Sequence, residues 1–299
     1  MTGNIKDLRG DSEITDIIKR ALAEDIGTGD ITSSLLIPED KKAKMKFVAR
    51  QDMVTCGLPL IGEVYSQIDK DISVAVKVME GKKVQAGTVL AIIKGSARSL
   101  LAGERVALNI IQRMCGVATL TDKYVEAVMG TKAIILDTRK TMVNLRVLDK
   151  YATSVGGARN HRVRLDDMIL IKDNHIALSG GVKQAVKTAK SGAGDLKIIV
   201  ECDTIEQVKD AAETEANRIM LDNMDVDTLR KAVEIVAGKI PLEASGGVDL
   251  NNIAEIAKTG VDYISVGAIT HSAPAVDIGA DIDLTSGGGL LSSLAFWRK

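Results

Sequence analysis

Five short apolar runs in the second half of the chain each stop at a charged residue or a glycine. They cover residues 134–136, 168–171, 198–200, 219–221 and 263–266. Runs of this length with helical patterns between them are typical of parallel strands that are buried on both faces. A buried strand that stops at a charge has reached the edge of its sheet, and parallel α/β folds bind ligands at that edge. The residues that follow the runs are therefore candidates for a binding site.

Helical patterns alternate with these runs. They cover residues 145–155, 182–190, 204–215, 226–237 and 250–259, and a further strand is predicted at residues 240–244. Thr204 and Gln207 have the spacing of a capping box, and Asp225 and Asp249 are predicted to cap the next two helices. About six strand–helix units then occupy residues 131–272, which predicts an α/β fold with an incomplete α/β (TIM-like) barrel. An open doubly wound sheet is the alternative.

The first part of the chain has a different pattern, with short strands between amphipathic helices. Helices are predicted at residues 12–23, 100–114 and 121–129, and strands at residues 46–49, 74–78 and 89–93. We predict an N-terminal α/β sandwich domain over residues 1–118 and a barrel domain over residues 119–273. The tail, residues 274–299, either joins the N-terminal domain or is frayed.

Composition excludes several classes of function. The chain has 39 basic and 40 acidic residues and 2% aromatic residues, whereas nucleic-acid binders need a basic face or stacking aromatics. The three cysteines are far apart and imply neither disulfides nor a metal site. Residues 1–11 have no apolar signal core, and no apolar run approaches the ~20 residues that span a bilayer. We therefore predict a cytoplasmic protein with no nucleic-acid or membrane partner.

Glycines stand at the ends of two consecutive strands, in Ser245-Gly246-Gly247 and in Gly267-Ala268. Without a Cβ, backbone N–H groups can close around a phosphate, and the following helix adds a favourable dipole. Barrels commonly bind phosphate at their last two strands, so we predict a phosphate site here. The alternative is that these glycines only turn the chain.

A basic cluster lies near the first two barrel strands. Arg139 and Lys140 follow one apolar run, Lys172 follows the next, and His161 and Arg162 lie in the loop between them. Arg binds planar carboxylates or phosphates with a fork of donors, and Lys acts as a point charge. We predict that these cations bind a polyanionic ligand. Solvated surface charge is the alternative, and for His161 a structural role is an equal alternative.

Two carboxylates, Glu201 and Asp222, end successive strands. Beside a diphosphate they suggest a Mg²⁺ site in which the metal keeps several waters. They could also bind ribose hydroxyls or stabilise a developing oxocarbenium charge, and ion pairing with Lys140 and Lys172 is compatible with each role. The chain has no dinucleotide fingerprint, Walker A loop, His-Glu-x-x-His motif or Ser-His-Asp set. The sequence therefore predicts catalysis by positioning and electrostatics.

Together these segments resemble the quinolinate phosphoribosyltransferases, the carboxylating nicotinate-nucleotide pyrophosphorylases. The resemblance reaches to about Asp283, and Lys172-Asp173-Asn174-His175 after an apolar strand is its most specific motif. It is carried by residues 24–32, 104–109, 137–141, 160–162, 170–176, 221–224, 243–247 and 265–267. It implies an N-terminal α/β sandwich, an incomplete barrel and a homodimer or higher oligomer. It also implies conversion of quinolinate and phosphoribosyl pyrophosphate into nicotinate mononucleotide, pyrophosphate and CO₂ with Mg²⁺, a step of de novo NAD biosynthesis.

The resemblance also implies roles for particular residues. The catalytic residues that it implies are Lys140, Lys172, Glu201 and Asp222, of which Glu201 and Asp222 would serve the ribose and the metal. The residues that would bind quinolinate are Arg139, His161, Arg162 and, from the neighbouring subunit, Arg105. Thr138 would also bind substrate. The residues that would hold the 5′-phosphate are Ser245, Gly246, Gly247, Gly267 and Ala268.

Two departures from the family pattern flank the basic cluster. After Thr141 the family usually has Thr-Pro-Gly, whereas this chain has Met142-Val143-Asn144, and Arg164 stands where a glycine is common. Loss of the Pro-Gly turn predicts a loop that closes differently around Arg139. Two alternatives follow. One is a paralogous phosphoribosyltransferase that acts on another anionic acceptor, and the other is a non-catalytic phosphate-ligand binding protein.

Overall fold

The first part of the molecule is an antiparallel sheet covered by helices. The computed structural model describes residues 8–283 of the 299-residue chain. The first elements are α1 (Ser12–Ile26), α2 (Ile31–Leu36), β1 (Lys42–Ala49), β2 (Met53–Val54), α3 (Leu60–Ser66), β3 (Ser73–Val76), β4 (Lys83–Val84), β5 (Val89–Ser96) and α4 (Ala97–Ala127). Met45, Phe47 and Ile93 are fully buried in its core, together with Tyr65 of α3.

The last described strand, β12 (Ile278–Asp283), belongs to this first sheet. The strand order is β12-β1-β5-β3, and β12 pairs antiparallel with β1 from Lys44 opposite Asp283 to Ala49 opposite Ile278. The chain therefore returns to its first sheet after completing the barrel. Residues 284–299, the rest of the tail considered above, lie outside the described residues.

Helix α4 is a single helix of 31 residues, where the sequence predicted two helices at 100–114 and 121–129. The prediction of two helices was wrong, because the helix continues through Gly116 and the residues around it. A Cβ on Gly116 would lie 2.1 Å from the carbonyl oxygen of Pro274, so this glycine lets another chain segment approach the helix and does not end it. The helix runs through residue 118, the domain boundary predicted from the sequence.

The second part is an incomplete α/β barrel, as predicted. Its elements are β6 (Ile134–Leu136), α5 (Arg146–Val155), β7 (Ile169–Ile171), α6 (Asp173–Ser179), α7 (Val182–Gly192), β8 (Ile198–Cys202), α8 (Ile205–Ala212), β9 (Arg218–Asp222), α9 (Val226–Val236), β10 (Leu242–Ser245), α10 (Ile253–Lys258), β11 (Tyr263–Ser265) and α11 (Ala268–His271). The six parallel strands have the order β6-β11-β10-β9-β8-β7. The barrel is open between β6 and β7.

A loop segment lies along the open edge of β6. Arg159 forms a parallel bridge with Leu136, in which Arg159 N donates to Ile135 O at 2.9 Å and Asp137 N donates to Arg159 O at 3.2 Å. These bonds hold the chain beside β6 just before His161 and Arg162. The basic loop residues are therefore fixed next to the end of the first barrel strand.

Helix ends follow local side-chain chemistry. Thr204 accepts from Gln207 N in the predicted capping box, and Asp225 accepts from Thr228 N as the N-cap of α9. The cap predicted at Asp249 was wrong, because its carboxylate accepts from Asn251 N and Asn252 N and α10 begins after Asn252. Helix α6 was missed because it is short and starts in a polar segment. Among residues 8–283, every helix is too short or too polar to cross a bilayer.

Candidate active site

Several predicted site residues share the interior face of the barrel at its carboxyl-terminal edge. Side chains alternate across a strand, and four residues pack outward into the core between strands and helices, namely Ile171, Val200, Leu221 and Ala244. The residues next to them therefore face inward. These inward residues are Lys172, Glu201, Asp222 and Ser245.

Lys172 and Glu201 form an ion pair across β7 and β8. Lys172 Nζ lies 3.1 and 2.8 Å from the two carboxylate oxygens of Glu201. The Lys172 side chain is 45% exposed, and that of Glu201 only 11%. The backbone N–H of Lys172 donates to His175 Nδ1 at 3.0 Å, which accounts for the Lys-Asp-Asn-His motif. His175 fixes the start of α6 and thereby the position of Lys172.

Arg139 lies close enough to Arg162 for its charge to act on the Arg162 guanidinium. Burial lowers the pKa of the Arg162 guanidinium, the like charge of Arg139 lowers it further, and Asp167 and Glu201 oppose both effects. Arg139 Nε is buried and has no hydrogen-bond partner within residues 8–283. The Arg162 guanidinium still stays charged at neutral pH, because arginine keeps its proton in proteins. Two neighbouring arginines with an unsatisfied buried donor form a site that an anion would stabilise.

Lys140 connects the loop after β6, which carries Arg139, with the predicted phosphate site. A Cβ on Gly267 would lie 3.2 Å from Lys140 Cδ, and Thr270 Oγ1 donates to Lys140 O at 2.7 Å. Gly246 has φ +88°, and a Cβ there would lie 2.2 Å from Asn223 Oδ1. Only glycine fits this position, so the backbone of the Ser245-Gly246-Gly247 segment can approach a ligand closely. Ala268 begins α11 immediately after Gly267.

Asp222 ends β9, two residues beyond Met220, which lies opposite Glu201 of β8, and on its other side it lies opposite Ser245 of β10. It is partly buried and accepts from Asn223 Nδ2 at 2.6 Å, and no ion pair involves it in the described part of the chain. No group of three or more His, Cys, Asp or Glu residues in that part could hold a metal ion. A metal at Glu201 and Asp222 would therefore need further oxygen ligands from a bound substrate or from water.

His161 points into the barrel. Its side chain is 6% exposed, its Nδ1 accepts from Arg162 N at 2.7 Å, and its Nε2 lies 3.5 Å from Glu243 Oε1. Both ring nitrogens thus face groups of the protein, and a direct substrate contact by His161 stays a prediction. Thr138 stabilises the loop after β6, because its Oγ1 accepts a hydrogen bond from Lys140 N at 3.0 Å.

A charged layer that was not predicted from the sequence lies beneath the site. Glu243 is fully buried and accepts from Arg218 Nη1 at 2.7 Å, and the Arg218 guanidinium lies 3.9 Å from the Tyr263 ring centroid. Burial would raise the pKa of Glu243, but contacts with His161 and Arg218 outweigh it and hold the pKa below its usual value. The sequence signal that could have revealed this layer is Glu243, a charged residue between Leu242 and Ala244 in a buried strand.

The departures from the family pattern have a local explanation. Asn144 adopts φ +61°, a left-handed conformation that Asn tolerates better than most residues. It takes the place of the glycine in the expected Pro-Gly turn. Arg164 is exposed and pairs with Asp166 at 3.1 Å. Arg105 is exposed on α4, and no hydrogen bond or ion pair within residues 8–283 joins it to the site loops.

Two family models match the chain. Residues 30–115 match the N-terminal domain of quinolinate phosphoribosyl transferase, and residues 117–281 match its C-terminal domain. The chain belongs to the quinolinate phosphoribosyltransferase family. The boundary between the two matches lies inside α4. The resemblance and the fold class predicted from the sequence are confirmed.

Individual members of the family are similar over most of their length. A probable carboxylating nicotinate-nucleotide pyrophosphorylase from Bacillus subtilis is 39% identical over 275 residues, which are 92% of this chain and 95% of that one. A mitochondrial decarboxylating quinolinate phosphoribosyltransferase from Nicotiana tabacum is 40% identical over 91% of this chain and 82% of its own. The nicotinate-nucleotide pyrophosphorylase structure from Francisella tularensis has a TM-score of 0.90 at 40% identity, and covers 95% of this chain and 100% of its own.

Proposed function

We propose that this chain is a carboxylating nicotinate-nucleotide pyrophosphorylase. It would transfer phosphoribosyl from phosphoribosyl pyrophosphate to quinolinate and release pyrophosphate and CO₂. Family membership supports the reaction. The choice of acceptor rests on Arg139 and Arg162, which lie near each other. The Nε of Arg139 is a buried donor with no hydrogen-bond partner among the described residues. Such a pair suits an acid with two neighbouring carboxylates, because each guanidinium can bind one of them.

The other site residues suit the phosphoribosyl donor. Lys140, whose side chain lies beside Gly267, and Lys172, which is paired with Glu201, would neutralise the diphosphate. The backbone around Gly246 and Gly267 would hold the 5′-phosphate through its N–H groups.

The chemistry needs charge stabilisation and no protein nucleophile. As pyrophosphate leaves with the electrons of its bond to the sugar, positive charge develops on the ribose, and Glu201 and Asp222 would stabilise it. The pyridine nitrogen then forms the new bond and becomes a pyridinium. The electrons of the adjacent carbon–carboxylate bond move to the ring carbon as CO₂ leaves, because the pyridinium stabilises them. That carbon finally takes a proton.

We propose Mg²⁺ as the cofactor. Its support is the placement of two carboxylates, Glu201 and Asp222, at neighbouring strand ends, and the chemistry of Mg²⁺, which binds one or two carboxylates together with substrate phosphates. Glu201 is already paired with Lys172, so Asp222 is the freer ligand. When bound, the metal would neutralise charge on the departing pyrophosphate.

We further propose a homodimer in which Arg105 of one subunit completes the other subunit's site. Arg105 is exposed on α4, far in sequence from the basic loops. Helix α2 presents three exposed apolar side chains, Ile31, Leu35 and Leu36, each more than 70% exposed. Apolar residues clustered on one helix are typical of an interface.

We propose a cytoplasmic location. All three cysteines, Cys56, Cys115 and Cys202, are buried and unbridged, as expected in a reducing compartment. Measuring the protein in fractions of the source cells would test it. Enrichment in an organelle fraction, as the name of the tobacco relative indicates for that protein, would contradict it.

The deciding experiment is an assay for three products. Purified protein is mixed with phosphoribosyl pyrophosphate, Mg²⁺ and either quinolinate or nicotinate, and CO₂, pyrophosphate and the mononucleotide are measured. We expect equal amounts of all three with quinolinate and none with nicotinate. Turnover with another acid alone would indicate a paralogous transferase. Ligand binding without product would indicate a non-catalytic protein.

A further inference from the structure

Helix α5 presents a polar face to both loops of the basic cluster. Arg146, Asp149 and Lys150 lie on this face, at the spacing of three and four residues that places side chains together on a helix. One loop follows β6 and carries Arg139. The other runs beside the open barrel edge and carries Arg162. The helix was predicted from the sequence, but no role was predicted for these three residues.

Arg146 bridges the two loops with a single guanidinium. Its Nε donates to Thr141 Oγ1 at 3.0 Å and its Nη2 donates to the Arg139 carbonyl at 3.3 Å, both in the first loop. Its Nη1 donates to the Val163 carbonyl at 3.0 Å, in the second loop. The rigid fork of Arg146 thus fixes the separation of two backbone segments, each next to one arginine of the pair.

Lys150 makes a second bridge below the first. Its ammonium donates to Asp137 Oδ1 at 2.5 Å and to the carbonyls of His161 and Arg162 at 3.0 and 3.1 Å. Asp137 Oδ1 also accepts from His161 N at 2.7 Å. The Lys150 side chain is 5% exposed and that of Asp137 fully buried. All three donors of the ammonium are therefore satisfied inside the protein.

Asp149 anchors the same helix face to the rest of the fold. Its carboxylate accepts from Arg113 Nε and Nη2, both at 3.0 Å, and from the backbone N–H of Met142 at 3.1 Å. Arg113 belongs to the long helix α4. The loop that carries Arg139 is thus tied through α5 to an element that runs through both parts of the molecule.

We propose that Arg146 and Lys150 are positioning residues that set the spacing of Arg139 and Arg162 and thereby select an acid with two adjacent carboxylates. The two guanidinium groups repel each other when no anion lies between them. Both loops are tied to the same two side chains of α5, so the pair stays in place. A ligand with one carboxylate needs no fixed spacing, whereas a ligand with two does. This inference rests on the proposed function and concerns its specificity.

The test compares Arg146→Lys with Arg230→Lys, an arginine on α9 whose exposed side chain pairs with Asp227. Lysine keeps the charge and loses the fork. Because misplacement of a binding group by about 1 Å costs up to about 100-fold, we expect the KM for quinolinate to rise roughly 10- to 100-fold with Arg146→Lys. The KM for phosphoribosyl pyrophosphate should change less than about twofold. A general loss of structure would instead raise the KM for both substrates. Arg230→Lys should leave both unchanged.

A second variant keeps the test valid if Arg146→Lys folds poorly. Thr141→Val removes only the hydroxyl that accepts from Arg146 and keeps the side-chain shape. We expect a rise in the KM for quinolinate of about fivefold. The double variant should be no worse than Arg146→Lys alone, because Thr141→Val removes a contact that Arg146→Lys has already broken. Direct titration of quinolinate into each variant gives the same ranking without turnover.

The possible failures are distinct. If the unchanged protein releases no CO₂ from quinolinate, the proposed function is wrong. If it does so and the KM for quinolinate is unaffected by Arg146→Lys and Thr141→Val, or rises equally with the KM for phosphoribosyl pyrophosphate, the positioning role is wrong. A KM that rises for quinolinate alone, and more with Arg146→Lys than with Thr141→Val, would confirm that the fork is required.

Discussion

At the scale of single residues, the site is organised around charges that the protein itself leaves incompletely neutralised. Arg139 has a buried donor with no partner among the described residues, and Arg162 lies near it despite the like charge. Lys172, by contrast, is already paired with Glu201. A dicarboxylic acid would therefore gain most of its binding from the two arginines.

The first prediction concerns Arg162→Lys. We expect kcat/KM for quinolinate to fall by roughly 2 kcal/mol, or about 30-fold, since lysine cannot form the forked pair with a carboxylate. The KM for phosphoribosyl pyrophosphate should change little. Arg164→Lys is the matched control, because Arg164 is two residues away and exposed. Equal effects of Arg162→Lys on both substrates would contradict the assignment.

The second prediction concerns pH. Burial raises the pKa of Asp137 to about 6, against the effects of Lys150 and His161. Protonation near that pH would remove the ion pair between Asp137 and Lys150, which helps to join the two loops, so kcat/KM for quinolinate should fall as the pH drops through about 6. Because the folded pKa exceeds the unfolded one, the stability that this group contributes is present at low pH and is lost as pH rises through about 6.

Activity and stability should therefore separate on the acid side. Rates and melting curves of the protein between about pH 5 and 7.5 would check this, and Asp137→Asn, whose amide does not titrate, should lack the activity change near pH 6. A melting temperature that falls in step with activity through that range would contradict the account.

At the scale of elements, helix α4 shows how packing overrides a local signal. Gly116 has a low intrinsic helix propensity, yet it lies within 31 residues of continuous helix, and the Pro274 carbonyl packs where its Cβ would be. A glycine therefore does not weaken a helix at a position where a neighbouring segment leaves no room for a Cβ.

The third prediction compares two helical glycines. Ala favours a helix over Gly by up to about 1 kcal/mol. Gly62→Ala in α3, where a Cβ would meet nothing within 4 Å, should raise the free energy of unfolding by roughly 0.5 kcal/mol. Gly116→Ala should lower it by about 1–3 kcal/mol, because the methyl group forces the segment at Pro274 away. Denaturant titration would show both, and a stabilised Gly116→Ala would refute the packing argument.

Elements with strong periodicity could be predicted from the sequence, and buried charges could not. The apolar runs gave the barrel strands, and the patterns between them gave α5, α7, α8, α9 and α10 within a few residues. The buried ion pairs of Glu243 and Lys150 were not predicted, because their partners, Arg218 and Asp137, are distant in sequence or lie in another element. Propensity describes a residue and its neighbours, whereas a buried ion pair depends on the fold that brings both charges together.

At the scale of the whole molecule, the proposed dimer determines whether each site is complete. Arg105 lies on α4 and Arg162 in the barrel loop, and one chain shows no hydrogen bond or ion pair between them within residues 8–283. If Arg105 serves the neighbouring subunit, a site needs one intact residue from each chain.

The fourth prediction is complementation between inactive variants. Arg105→Ala and Arg162→Ala proteins, each inactive alone, should regain activity when mixed, because a hybrid dimer contains one site with both arginines. Up to about a quarter of the activity is expected at statistical mixing. Subunit exchange is followed separately with differently tagged chains. Exchange without recovered activity would place both arginines in the same subunit's site.

The pairing of β12 with β1 constrains how the chain is made. During synthesis the ribosome completes the whole barrel before residues 278–283 emerge, and until then β1 is an edge strand with unpaired backbone groups. Lys44 and Lys46 on β1 oppose premature edge-to-edge association, since edge lysines disfavour it. Once β12 arrives, both lysines pair with Asp283. The same two lysines thus disfavour association of the unfinished chain and later stabilise its last described strand.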